Sequence, residues 1–239
     1  MKNLIYKIQT YGFKRVLKYL FIETNYLFRR VFFGSYSQQG EDLYLLRQFP
    51  KDYKGFYVDV GANDPFRFSN TCLFYNRGWR GINIEPNLVK YRKIDKYRTR
   101  DINLNIGVGE VDGKLQYYRF LPDTLNTFSK EEADSYVSQG YSMLGVIDVD
   151  VKRFENVLEK FLPNRECIDF ISIDTEGFDI DVLKGMNVSK FRPHYVCVES
   201  VRHSVLSDGV ISDSVKNFLS QNGYSEIYSN GLNSIYSAL

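Results

Sequence analysis

Short apolar runs, rich in β-branched and aromatic residues, alternate along this chain with stretches of helical character. Parallel strands cannot be joined by tight turns, so this alternation favours a mostly parallel sheet with helices on its faces. The end of the chain differs, because two short runs flank Asn230-Gly231, a dipeptide typical of antiparallel hairpins. The sequence therefore predicts a doubly wound, Rossmann-like α/β fold that ends in an antiparallel hairpin. The runs predicted to be parallel strands are residues 55–60, 81–85, 102–108, 168–174 and 194–199.

The length of 239 residues suits one large α/β domain preceded by a separate basic segment. We expect residues 1–35 to form that helical segment and residues 36–239 to form the domain. Within the domain, residues 114–148 show the least regular pattern, with an edge strand over 115–120 followed by a polar loop. Insertions of this length in compact domains are often lids or substrate loops, and we interpret this one in the same way.

The net charge and the spacing of the cysteines indicate which partners and which cell compartment to expect. The formal net charge of +2 gives no reason to expect a nucleic-acid partner. The three cysteines are widely spaced and match neither a disulfide framework nor a zinc pattern, which favours a reducing compartment. No apolar stretch reaches the length of a signal peptide or a membrane span. We therefore expect a cytoplasmic protein.

The most informative motif is Asp59-Val60-Gly61-Ala62-Asn63, directly after the first predicted strand. A glycine turn at this edge of an open α/β sheet lets a nucleotide approach the backbone at the topological switch point. The second and third glycines of a dinucleotide loop are missing, and Asp59 would repel a phosphate. A cationic ammonium or sulfonium group would instead suit this carboxylate. The alternative interpretation is an ordinary strand-to-helix turn capped by Asn63.

Glu85 ends the second predicted strand and is followed by Pro86. A carboxylate in this position can accept hydrogen bonds from both hydroxyls of a ribose. The alternative is an exposed acid before a proline. Together with the first motif, Glu85 indicates a binding site for an adenosine whose ribose carries a cationic tail and no phosphate. S-adenosylmethionine is that molecule.

Carboxylates also follow the fourth predicted strand, at Asp174, Glu176 and Asp179, and Glu199 ends the fifth. Asp174 and Glu199 could face one crevice, where they would orient a substrate hydroxyl, take its proton or hold a divalent cation. The sequence does not decide whether a metal ion is bound. For Glu176 and Asp179, capping of the next helix is the alternative interpretation.

His203 follows the fifth predicted strand and is a third candidate for a catalytic base. A neutral imidazole can accept a hydroxyl proton near pH 7. A solvated loop histidine is the alternative.

In their order and spacing, these motifs resemble the FkbM-type methyltransferase family over about residues 36–236. The blocks that carry the resemblance are Ser37-Gln-Gln-Gly-Glu-Asp42, Gly55-Phe-Tyr-Val-Asp-Val-Gly-Ala-Asn63, Pro65-Phe-Arg-Phe-Ser-Asn-Thr71, Gly78-Trp-Arg-Gly81, Ile84-Glu-Pro-Asn87, Asp169-Phe-Ile-Ser-Ile-Asp-Thr-Glu-Gly-Phe-Asp179 and residues 193–199. The resemblance implies a class I methyltransferase fold with a seven-stranded sheet. It also implies S-adenosylmethionine as methyl donor and O-methylation of a sugar, glycan or secondary metabolite.

The resemblance further implies positions for the cofactor. The methionine part of the cofactor would contact the motif at residues 59–63, and the ribose would contact Glu85. The adenine would contact the region after the third strand. Gly107 stands in that last region, where alanine is more usual in the family. The cofactor-binding residues expected from the motifs and the resemblance are Asp59, Gly61, Ala62, Asn63, Asn70, Thr71, Glu85, Pro86 and Gly107.

Two other classes of function remain open from the sequence. A nucleotide-dependent oxidoreductase uses a similar fold but needs the glycines that are missing here. A non-catalytic binding module derived from a methyltransferase would not need Asp59, Gly61 and Glu85.

The N-terminal segment carries an uneven share of the charge. In residues 1–35, seven basic residues stand against one acidic residue, which gives +6 and leaves about −4 for the rest of the chain. A basic amphipathic helix of this kind can lie on an anionic membrane surface. A helix packed on the domain with its lysines in solvent is the alternative.

Overall fold

The computed structural model describes residues 13–164, 166–199 and 213–239. The helices are numbered in chain order and are α1 Phe13–Phe33, α2 Glu41–Leu46, α3 Cys72–Asn76, α4 Leu88–Tyr97, α5 Lys130–Ser138, α6 Phe154–Phe161, α7 Asp179–Gly185, α8 Val188–Phe191 and α9 Asp213–Gln221. The strands are β1 Phe56–Val60, β2 Arg80–Ile84, β3 Ile102–Leu104, β4 Gly107–Gly109, β5 Gly113–Leu121, β6 Ser142–Arg153, β7 Phe170–Ile173, β8 Tyr195–Glu199, β9 Tyr224–Ser229 and β10 Asn233–Ala238.

The main sheet has seven strands in the order β3-β2-β1-β7-β8-β10-β9. The first five strands of this order are parallel, and β10 runs antiparallel to both of its neighbours. The chain leaves β1 toward one edge through β2 and β3, then crosses back to β7 on the other side of β1. This reversal places the topological switch point between β1 and β7, where open α/β sheets bind their ligands.

The sheet is covered on both faces, as the apolar strands require. Every residue of β1 is buried, and its side chains alternate between the two cores. Val58 joins a large aliphatic core with α6 and α7, whereas Tyr57 joins an aromatic core that includes Phe74, Trp79 and Phe170. This double burial confirms the predicted doubly wound architecture.

The predicted strands and the terminal hairpin are confirmed, with one exception. The run 102–108 forms two strands, because the chain breaks at residues 105–106 and continues as β4 in a different sheet. The side chain of Asn105 donates hydrogen bonds to the carbonyl oxygens of Glu85 (2.9 Å) and Pro86 (3.0 Å), so this residue is held against the end of β2.

The insertion is more regular than the sequence pattern indicates. The expected edge strand is present as β5, but the expected polar loop beyond it is wrong. That part of the chain contains helix α5 and the twelve-residue strand β6. Strands β4, β6 and β5 form a second, three-stranded sheet.

Candidate active site

A cavity of about 980 Å³ opens at the carboxyl ends of the parallel strands. Its volume lies at the upper end of the range of roughly 300–1,000 Å³ found for small-molecule sites. The main sheet supplies one wall, and the insertion supplies the opposite wall. Of the residues predicted from the sequence, those that line the cavity are Gly61, Asn63, Glu85, Pro86, Gly107, Asp174 and Glu199.

The two strands at the switch point come unusually close at the cavity floor. Gly61 has a φ of +80°, and a Cβ atom at this position would lie 1.9 Å from the carbonyl oxygen of Asp174. A side chain is therefore excluded on both conformational and steric grounds. The amide of Asp174 donates to the carbonyl oxygen of Val60 (3.0 Å), which fixes the ends of β1 and β7 together. Gly61 and Asp174 thus form one rigid floor.

Backbone amides hold both oxygens of the Glu85 carboxylate. One of its oxygens accepts from the amide of Asn63 (2.8 Å), and the other accepts from the amide of Asn87 (2.7 Å). Its side chain is only 4% exposed, so it is not the exposed acid of the alternative interpretation. Burial raises its pKa to about 7, against the opposite effect of the two amides. Each oxygen keeps a further lone pair for a hydroxyl donor.

Asp59, Ala62, Asn70 and Thr71 are not among the residues that line the cavity, although the sequence places them in the cofactor site. The carboxylate of Asp59 lies behind the glycine turn and accepts from the hydroxyl of Thr71 (2.6 Å). Burial raises its pKa to about 6. The amide of Asn70 donates to the hydroxyl of Ser172 (3.0 Å). These contacts support the cavity floor from behind, and direct contact with a cofactor stays a prediction for these residues.

Arg98 supports the same region from the interior. This side chain is 2% exposed and donates to the carbonyl oxygen of Pro65 (2.8 Å) and the hydroxyl of Ser69 (3.1 Å). It also lies 3.9 Å from the Asp101 carboxylate. Its positive charge partly offsets the burial of Asp59. The residues 65–71 are therefore held in place by one buried guanidinium.

Asp174, Glu176 and Glu199 all line the cavity. Burial by the surrounding walls, together with the Asp179 carboxylate, raises the pKa of Asp174 to about 7. Asp174 is nevertheless open to the cavity itself, since its side chain is exposed on that side. Burial and the charge of Glu176 likewise hold the pKa of Glu199 well above its usual range. Such shifts keep part of the carboxyl population protonated near neutral pH.

Glu176 links the main sheet to the insertion. Its carboxylate accepts a hydrogen bond from the Tyr136 hydroxyl (2.8 Å), and its carbonyl oxygen accepts one from the Thr127 hydroxyl (2.7 Å). Tyr136 also lines the cavity. Glu176 therefore belongs to the cavity wall and not to a helix cap. Asp179 does take the structural role, because its carboxylate accepts from the Thr175 amide (3.1 Å) in the first turn of α7.

Gly107 begins strand β4 of the second sheet, next to the insertion. A Cβ atom there would lie 2.8 Å from the Phe128 ring and 2.9 Å from the side chain of Val151. Phe128 belongs to the insertion and lines the cavity, and Val151 is the partner of Gly107 in the neighbouring strand β6. The glycine is therefore explained by close packing.

The remaining expectations concern His203, the segment 37–42 and a possible metal site. His203 lies outside the described residues. In the segment 37–42, Glu41 and Asp42 are buried in a hydrogen-bond network, while Gln38 borders the cavity. Within the described parts of the chain, no three His, Cys, Asp or Glu side chains are grouped so as to hold a metal ion.

Sequence reasoning did not name the cavity residues that the insertion supplies, which include Tyr117, Asn126, Phe128, Tyr136 and Tyr141. A signal for part of this region was present. Ser129 accepts from the amide of Glu132 (3.2 Å), the contact that a Ser-x-x-Glu helix start predicts. That signature locates helix α5, but it does not show that Tyr136 faces the cavity.

The sheet order, the reversed strand β10 and the cavity at the switch point define a class I methyltransferase fold. The profile of the methyltransferase FkbM domain matches residues 59–226. The chain therefore belongs to the FkbM methyltransferase family.

Two solved structures are similar to this chain. One is the methyltransferase FkbM from Methylobacillus flagellatus KT, with 17% identity and a TM-score of 0.45 over 78% of this chain. This chain spans 44% of the length of that protein. The other is the 1,6-didemethyltoxoflavin-N1-methyltransferase from Burkholderia thailandensis with bound 1,6-didemethyltoxoflavin and S-adenosylhomocysteine. It has 11% identity and a TM-score of 0.43, over 95% of this chain and 88% of its own. No curated protein sequence matches the chain.

Proposed function

We propose that this protein transfers the methyl group of S-adenosylmethionine to a hydroxyl of a sugar, glycan or secondary metabolite. The observation that carries the proposal is that one cavity brings together Glu85 and Asp174 across the Gly61 turn. Glu85 can hold the ribose of the cofactor, and Asp174 can accept the proton of the acceptor hydroxyl.

The residues present fit S-adenosylmethionine better than a dinucleotide. Glu85 offers two fixed oxygens to two ribose hydroxyls, with both orientations set by backbone amides. The lining also includes the acidic residues Asp174, Glu176 and Glu199, and whichever of them is ionised disfavours a pyrophosphate and tolerates a cationic tail. The cofactor site would thus consist of Gly61, Asn63, Glu85 and Pro86, with Gly107 near the adenine. This arrangement argues against the oxidoreductase alternative.

When bound, S-adenosylmethionine supplies a methyl group that is already activated, so the protein mainly aligns the nucleophile and removes its proton. A general base works best when its pKa is close to the working pH. Asp174, with a pKa of about 7, meets this condition and is open to the cavity. Glu199 and Glu176 would orient the acceptor, because a carboxylic acid can both donate and accept hydrogen bonds.

The insertion supports an acceptor that carries hydroxyl groups on an apolar frame. Its cavity face combines the rings of Tyr117, Phe128 and Tyr136 with the amide of Asn126. Aromatic rings pack on the apolar faces of such molecules, and the polar groups bind their hydroxyls. A cytoplasmic location is part of this proposal, and the three free cysteines agree with it.

The test is incubation of the protein with methyl-labelled S-adenosylmethionine and a panel of sugars, glycans and polyhydroxylated metabolites. Mass spectrometry of the products locates the label. We expect label on an oxygen atom, with the product reduced in Asp174→Asn. Label on nitrogen or carbon would contradict O-methylation, and no transfer to any acceptor would favour the non-catalytic alternative.

A further inference from the structure

Helix α1 is attached to the domain along one face only. On that face, Tyr26 is 8% exposed and packs edge-on against Phe68, with ring centroids 5.0 Å apart. Glu23 forms an ion pair with Arg67. Arg29 donates to the carbonyl oxygen of Gln38 (2.8 Å). These contacts fix the orientation of the helix on the domain.

The opposite face of α1, here called the outer face, consists of large apolar side chains that contact solvent. Their spacing of three, four and seven residues places them on one side of a helix. Exposed fractions range from 46% to 73%, which is unusual for so many neighbouring hydrophobic residues. The outer face comprises Leu17, Leu20, Phe21, Leu27, Phe28, Val31 and Phe32. Phe28 also contacts the rings of Phe32 and Phe33, so the end of the helix carries an aromatic cluster.

The charge of the helix indicates what covers this face. Residues 13–33 contain five basic residues and one acidic residue. Two copies of such a positively charged helix would repel each other, whereas an anionic surface would attract it. No helix in the described ranges is long and apolar enough to cross a membrane. A basic helix that is apolar on one face and polar on the other lies in the plane of a lipid interface.

We propose that the outer face of α1 docks the protein on an anionic lipid bilayer, with the helix parallel to the membrane. The same helix borders the active-site cavity through Ile22 and Glu23, and through Leu20 at the edge of the outer face. Docking therefore brings the cavity close to the lipid interface. The docking surface does not depend on the proposed methyl transfer, because its contacts and charge belong to α1 alone.

The test is flotation of the full chain with vesicles of pure phosphatidylcholine and with vesicles that also contain phosphatidylglycerol. We expect flotation with the anionic vesicles and much less with the neutral ones, and a loss of binding as salt is raised. Val31→Asp should weaken binding at least about tenfold, because burial of a valine-sized side chain contributes roughly 1.5–3 kcal/mol.

The matched control is Val111→Asp, since Val111 is 66% exposed and Val31 is 73% exposed. It introduces the same charge far along the chain, in the turn between β4 and β5, and we expect it to bind vesicles like the unaltered protein. Thermal unfolding should be the same for both variants, because neither side chain is buried. Absence of flotation, equal flotation on neutral vesicles, or equal losses in both variants would overturn the proposal. So would self-association, measured by light scattering, that Val31→Asp abolishes while no vesicle is bound.

Discussion

The two sides of the cavity are built in different ways. On the main-sheet side, backbone groups hold the key carboxylate, because the amides of Asn63 and Asn87 bind both oxygens of Glu85. On the insertion side, side chains make the connection, since the hydroxyls of Tyr136 and Thr127 reach across to Glu176. The first arrangement does not depend on the side chains at positions 63 and 87, whereas the second can be altered one side chain at a time.

This difference indicates a division of labour. A backbone-built site suits a ligand that never changes, which here is the proposed cofactor. A side-chain-built wall suits a partner that differs between relatives, which here is the acceptor. Substitutions on the two sides should therefore separate cofactor affinity from turnover and acceptor recognition.

The largest effect is expected at Asp174, which stands between the two sides. Asp174→Asn should lower kcat by about 10²–10⁴-fold, the usual contribution of a general base, with little change in S-adenosylhomocysteine affinity. In the unaltered protein, kcat/KM should rise with pH as the carboxyl group deprotonates, with a midpoint near its pKa of about 7 in the free protein. Steady-state kinetics from pH 5 to about 9 would show this limb and its loss in the variant. A variant that loses cofactor affinity but keeps kcat would contradict the assignment.

A smaller effect is expected at the insertion side. Tyr136→Phe removes only the hydroxyl that donates to Glu176, and it should lower kcat/KM for the acceptor about tenfold, as loss of a hydrogen bond to a charged group does. Cofactor affinity should stay unchanged. Tyr118→Phe is the control, since its hydroxyl donates to Gln116 and its side chain does not line the cavity. Equal effects of the two substitutions would remove the distinction between the two sides.

The close packing of Gly107 against Phe128 and Val151 can be tested through the free energy of unfolding. Gly107→Ala places a Cβ atom within 3 Å of Phe128 and Val151, so we expect the free energy of unfolding to fall by about 1–3 kcal/mol. Gly113→Ala is the matched control, because nothing lies within 4 Å of its added Cβ atom. Urea unfolding of both variants measures the difference. A stable Gly107→Ala would show that Phe128 and Val151 can move away from β4.

The smallest effect is expected at Asp59, behind the cavity floor, in the pH dependence of the free energy of unfolding. The pKa of Asp59 is raised to about 6, so the folded protein binds this proton more tightly than the unfolded chain does. Its contribution to stability should therefore be lost as pH rises from about 4 to about 6. In Asp59→Asn, which cannot titrate, the free energy of unfolding should fall less steeply over this window. Parallel slopes for the two proteins would contradict the raised pKa.

The sequence specified the main-sheet side well, because its signals are local. Strand β1 is a continuous apolar run, and Gly61 and Glu85 follow strand ends that the pattern locates directly. The sequence did not show that the Asp59 side chain points away from the cavity. It hydrogen-bonds to Thr71, twelve residues further along the chain, and no local pattern specifies that contact.

The insertion was the least predictable region, although one of its strands does carry a local signal. Strand β6 does show period-two alternation, with Val149 and Val151 buried between exposed Asp148, Asp150 and Lys152. That local signal could have located the strand. Contact between Tyr136 and Glu176 joins residues 40 positions apart, and no local pattern specifies such a pair.

The measurement that tests the central claim most directly is calorimetric titration with S-adenosylmethionine, S-adenosylhomocysteine and NAD. We predict saturable binding of the first two and none of NAD. In Glu85→Ala both affinities should fall by at least about 100-fold, because two hydrogen bonds to a carboxylate contribute roughly 1.5–3 kcal/mol each. Binding of NAD alone, or no binding of either S-adenosyl compound, would contradict the account.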